Sequence, residues 1–105
     1  MKVGQVSMSD HLAPKISITL DRDRALKFDF NAAARFEEVT GKNMFAGNVL
    51  KELNARDLRA FVWACLVHED PELTLEQVGA MIHMQNLGYV SDKFFAIYNA
   101  STPGP

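Results

Sequence analysis

One cysteine in 105 residues rules out an internal disulfide, and with it the cross-linked framework that small secreted domains use in place of a large core. A reducing compartment is the expected setting. An excess of charge is also missing: 11 Lys and Arg against 13 Asp and Glu leave a formal net charge of −2, with a pI near 5.8. That balance supplies no electrostatic drive towards nucleic acid or an anionic membrane. No apolar run approaches the ~20 residues that span a bilayer. The opening stretch MKVGQVSMSDHLAPK lacks the apolar core of a signal peptide. Nor does the chain contain a G-x-G-x-x-G, a P-loop, an H-E-x-x-H or a G-x-S-x-G, the short motifs that announce phosphate, metal or acyl chemistry. The expectation is a soluble, intracellular protein with no enzyme chemistry written in its motifs.

What is present fits one small domain. With 48% apolar and 23% charged residues, the composition is that of a globular protein. A chain of this length buries roughly 60–70% of its unfolded surface, enough for one modest core. Residues 1–15 are small, polar and aperiodic and read as a flexible arm. Residues 16–100 form the globular domain, and 101–105 (STPGP) read as a disordered tail.

The first periodic signal has a period of two. Ile16 to Leu20 alternates apolar and polar, and Ala25 to Phe30 places Leu26, Phe28 and Phe30 on one face. With Asp21-Arg22-Asp23-Arg24 between them, the two runs predict a β-hairpin. A lone hairpin is marginal in water, so its apolar face must pack on something. The period then changes to that of a helix. Asn31 suits the N-cap of a helix ending at Thr40, with Ala32, Phe36 and Val39 on one side and Gly41 as its stop. Met44 to Leu53 is apolar but interrupted by Gly47, an ambiguous segment. Asn54 caps the strongest helix, Ala55–His68, where Leu58, Phe61, Val62, Cys65 and Leu66 make a broad apolar stripe. Pro71 closes it. Thr74 and Gln77 form a capping-box signal for a helix to Gln85. After Asn86-Leu87-Gly88 a last helix, Val90–Asn99, turns Val90, Phe94, Ile97 and Tyr98 inward. The predicted class is α+β, mainly α: an N-terminal β-hairpin followed by four or five short helices in one compact domain.

The stretch DLRAFVWACLVHEDPELT places a Trp, the cysteine, a His and several acids close together. Cys65 and His68 are one turn apart, a spacing a nucleophile and its base can use. A reactive thiolate, however, needs an electropositive, accessible setting, and Cys65 lies on the apolar stripe. It reads as core. His11, His68 and His83 have no ligand spacing, so no metal site is expected. Glu37 and Glu38 are adjacent and point to different sides of a helix. No catalytic residue, cofactor or metal is assigned. The helices after Thr74 also have the layout of a helix-turn-helix DNA reader. Against that, Lys93 is their single cation from Thr74 to Asn99, and a reading helix so poor in charge binds DNA weakly.

Two strings, LKFDFNAAARFEEVTGKN and LNARDLRAFVWACLVHEDPELTLEQVG, taken with the small size, resemble the tail assembly chaperones of tailed bacteriophages and gene transfer agents, sometimes labelled gene transfer agent tail tube proteins. The resemblance runs from about Ile16 to Ile82. It implies a non-catalytic protein in the cytoplasm of the bacterial host cell. Such a protein binds the long helical tape-measure protein, helps recruit tail-tube protein, and self-associates as a homo-oligomer, with no nucleic-acid or membrane partner. Trp63, His68, Glu69 and Asp70 are then candidates for the border of a partner surface, with the acidic loop and the DRDR turn as its polar rim. Phe95 is a further candidate, since it stands about 100° from the inward-facing Phe94. Two other readings stay open: a tail or connector subunit retained in the virion, and an acidic helix-turn-helix regulator.

Overall fold

A computed structural model of the protein describes residues 13–46, 49, 51 and 53–102. Alternation is what the first described segment obeys. Lys15–Thr19 (β1) pairs antiparallel with Asp23–Lys27 (β2), Ile16 opposite Leu26 and Ile18 opposite Arg24. These residues face inward, and Ile18 and Leu26 are buried. Four helices follow: Phe30–Thr40 (α1), Ala55–Leu66 (α2), Leu75–Met81 (α3) and Leu87–Ser101 (α4).

The hairpin and helices share one core, and Phe61 on α2 sits at its centre. Its ring meets Phe28 at 5.0 Å, Phe36 of α1 at 6.1 Å and Phe94 of α4 at 4.6 Å. The Phe94 contact is edge-to-face at 88°, the geometry that aligns a ring's positive edge with its partner's negative face. Ala60, Val62, Cys65 and Leu66 are buried around it. No helix is long and apolar enough to cross a membrane among the described residues.

Several boundaries differ from the sequence reading, each for a local reason. β2 stops at Lys27 because Asp29, not Asn31, caps α1: its carboxylate accepts the Ala32 N–H at 2.9 Å. Phe30 is therefore the first helical residue and 77% exposed, rather than a third inward strand position. Val39, expected inside, lies 38% exposed. Gly41 does end α1, with φ of 75° and its N–H on Glu37 O at 2.8 Å. At this angle a residue without Cβ is unstrained. Met44–Ala46 is a turn rather than a helix, with Met44 N–H held by the Glu37 carboxylate at 3.0 Å.

α2 stops at Leu66, earlier than His68, and the chain tightens so that Glu69 N–H bonds Leu66 O at 3.1 Å. α3 is short, ending at Met81. Asn86 is a brace between α3 and α4 rather than a mere break. Its side chain donates to Met81 O and accepts from His83 N–H, both at 2.8 Å. Leu87 and Gly88 then belong to α4. Ser101, read as tail, is the last residue of α4, and Thr102 donates to Tyr98 O at 3.0 Å. The N-terminal arm through Leu12 and residues 103–105 lie outside the described residues.

Candidate partner-binding groove

The acidic loop holds three of the five candidate residues, His68, Glu69 and Asp70, and there the side chains turn towards the protein itself. β2 is an edge strand, and Ala25 points both its backbone groups away from β1. The Glu69 carboxylate accepts the Ala25 N–H at 3.2 Å, and the His68 ring nitrogen Nε2 meets Ala25 O at 2.8 Å. A carbonyl only accepts, so Nε2 carries the proton. Arg24, 6% exposed, forks onto Asp21 with contacts of 2.7 and 2.9 Å and reaches Asp70 at 3.3 Å. Arg22 also lies 3.6 Å from Asp70. The Arg24 guanidinium holds the Asp21 carboxyl down to about 2, because the hydrogen-bonded ion pair favours the charged form.

Glu69, Asp70 and His68 therefore bond the hairpin, whereas the sequence reading places them at the border of a partner surface. Trp63 is likewise engaged, its indole N–H donating to Leu73 O at 2.8 Å. On the other edge of the hairpin the Thr19 N–H donates to the Tyr89 hydroxyl at 2.8 Å. That bond stabilises the phenolate and lowers the Tyr89 pKa. Side chains from α4 and from the loop after α2 thus bond one residue on each strand edge, the backbone rows that otherwise invite pairing with another chain.

The N-cap of α2 is another internal device. Asn54 accepts the Asp57 N–H at 2.9 Å, while the Asp57 carboxylate takes the Asn54 N–H at 3.4 Å and Lys42 Nζ at 2.7 Å. Asp57 is fully buried, so this ion pair and capping box fix the start of α2. Cys65 is buried too, and desolvation pushes its thiol pKa well up. It stays a thiol and packs as a small apolar group. Among the described residues, no three His, Cys, Asp or Glu are placed to hold a metal.

The opposite behaviour appears beside Leu58. Ala55, Leu58 and Arg59 lie at i, i+3 and i+4 on α2. Leu87, Ser91 and Phe95 lie at i, i+4 and i+8 on α4. One hollow of about 450 Å³ is formed by α2, the α3 end and the turn carrying Ile82, His83 and Met84. A second of about 390 Å³ runs on between α2 and α4 to Phe95. The two share Ala55, Leu58 and Leu87 and form one open groove. Two of its large apolar side chains stand out in solvent: Met84 is 84% exposed and Phe95 47%. Gly79 of α3 lets Arg59 pass close; a Cβ there would lie 3.0 Å from Arg59 Cδ. The Nε of Arg59 is buried with no hydrogen-bond partner among the described residues.

Phe95 is thus the one sequence candidate in the groove. Of the others, His68, Glu69 and Asp70 bond the hairpin, and Trp63 bonds Leu73 in the loop after α2. The groove residues Arg56, Arg59, Met84 and Leu87 were missed. The ARDLRA string carried the only local hint, two arginines three apart on either side of Leu58.

Comparison with known protein families, with curated proteins and with solved structures finds no match to this chain.

Proposed function

We propose that the chain is a non-catalytic tail assembly chaperone of the phage type, and that the groove between α2 and α4 receives a helix of the tape-measure protein. The observation that carries this reading is the groove itself, an open channel floored by Leu58 and Leu87 and ending at the exposed ring of Phe95. Its walls repeat at helical spacing, the form in which one amphipathic helix lays its apolar face against others. The two sequence strings from Ile16 to Ile82 add the resemblance to this family. A tape measure is long and exposes apolar stripes, so a small protein that covers them keeps it soluble. Recruitment of tail-tube protein, self-association and a place in the bacterial cytoplasm belong to the same proposal.

Co-expression with the tape-measure protein of a tailed phage tests it. The expected result is co-purification of the two proteins, weakened by Leu58→Asp and by Phe95→Ala in variants that keep their helical circular dichroism. Truncating an interface aromatic often costs ~2 kcal/mol or more. No co-purification, or capture unchanged in both variants, removes the groove reading. Retention of the protein in purified particles would instead favour a structural tail subunit, since a chaperone departs.

A further inference from the structure

The groove differs from the rest of the protein in the sign of its charge. The whole chain carries more acid than base, with a net charge of −2. Yet the described residues lining the groove include Arg56, Arg59 and His83 and no carboxylate. Arg22 and Arg24, by comparison, are both engaged by Asp70 on the hairpin face. Arg56 and Arg59 have no ion pair among the described residues, and Arg56 is exposed. The cations are also confined to one end. Arg56 and Arg59 flank Leu58, whereas among the described residues the far end at Ser91, Phe94 and Phe95 is uncharged.

From this polarity we propose that the groove takes an acidic amphipathic helix. The apolar stripe of that helix lies over Leu58, Leu87 and Phe95, and its carboxylates meet Arg56, Arg59 and His83. The inference rests on reading the groove as a helix receptor and adds the chemistry and the orientation of the occupant. Charge at the rim sets register and steers the encounter, while the apolar floor supplies the hold. It also excludes partners: a helix with basic flanks places like charges against the two arginines and is repelled. Arginine suits this use because its planar fork meets a carboxylate through two parallel hydrogen bonds.

Three designed helical peptides test the proposal, all with the same leucine stripe and with glutamate, glutamine or lysine flanks. Binding is followed by the amide resonances of Leu58, Leu87 and Phe95 in the full chain. The glutamate peptide should bind about five- to tenfold tighter than the glutamine peptide, the effect of two or three rim ion pairs, and the lysine peptide weakest. At about 1 M salt, where the Debye length is ~3 Å, the three should converge. The double variant Arg56→Glu and Arg59→Glu should reverse the order, and Arg56→Glu alone should narrow it if the double variant does not fold. Equal binding of the three peptides at low salt overturns the charge assignment and leaves the helix-receptor reading standing. Binding of none of them, with no shift at Leu58 or Leu87, overturns that reading and the inference with it. A preference for glutamate unaltered by either arginine variant overturns the assignment of Arg56 and Arg59.

Discussion

Two faces of this protein treat their polar and apolar groups in opposite ways. On the hairpin face, Arg24 meets Asp21 and Asp70, His68 and Glu69 close over Ala25, and Trp63 bonds Leu73. In the groove, Arg56 and Arg59 have no carboxylate partner among the described residues, and Met84 and Phe95 stand in solvent. Residues that look most functional by type, a Trp, a His and a cluster of acids, hold the fold together on the first face. Plainer residues form the available surface on the second. Chemistry-bearing residue types mark a site only when their bonding capacity is left over after folding.

The largest blow to both faces at once is Phe61→Ala, because that ring joins β2's continuation, α1 and α4. Removing a buried aromatic of this kind costs about 3–5 kcal/mol, a large share of the stability of any small domain. Urea unfolding followed by circular dichroism measures it. A loss below ~1 kcal/mol means the aromatic centre does not unite the two regions.

The comparison itself is sharpened by truncating one arginine from each face. Arg24→Ala leaves Asp21 and Asp70 without their buried partner and should cost about 2–3 kcal/mol. Arg59→Ala removes a side chain whose Nε is unsatisfied, and should change stability by no more than ~0.5 kcal/mol. Equal costs in the two variants would erase the distinction between an engaged face and an available one.

Acid tests the hairpin clamp more gently. The folded-state pKa of Asp21 is held down to about 2, below its usual value near 4. Its contribution is therefore complete above the unfolded pKa and is lost as pH falls through the folded one. Asp21 is 45% exposed, so screening limits the contribution to about 1 kcal/mol or less. Asp21→Asn should be less stable than the parent at neutral pH and converge with it between about pH 4 and 2. A difference that persists unchanged to pH ~2 would mean the charge on Asp21 is not what Arg24 responds to.

The smallest effect is expected at Gly88, in the first turn of α4. A Cβ there meets nothing within 4 Å, so Gly88→Ala should raise stability by about 0.5 kcal/mol through helix propensity. Thermal unfolding checks this, and peptide binding should stay as it was. A destabilised variant would place Gly88 in a conformation that alanine resists.

Periodicity made the framework legible from the residues alone. The alternation of Ile16, Ile18 and Leu26, the stripe from Leu58 to Leu66, the Asn54 and Thr74 caps and the Gly41 stop all stand where their local chemistry puts them. Each depends on neighbours within one turn of chain, which is why a sequence can show it. Burial of Cys65 and Phe94, and exposure of Phe95, followed from position on a stripe. The ends of elements were less legible. Asp29 and Asn31 are both competent caps, and choosing between them moved Phe30 from the inside of a strand to the solvent. What only the tertiary structure decided was partnership across the chain. Arg24 reaches Asp70, His68 and Glu69 reach Ala25, and Thr19 reaches Tyr89, pairs separated by more than forty residues that no local pattern links. Those bonds engage the acidic loop, and the way α2, α3 and α4 come together leaves the groove beside Leu58 open. A side chain's type is written locally, whereas whether its bonding and its surface are already taken depends on which distant segments pack against it.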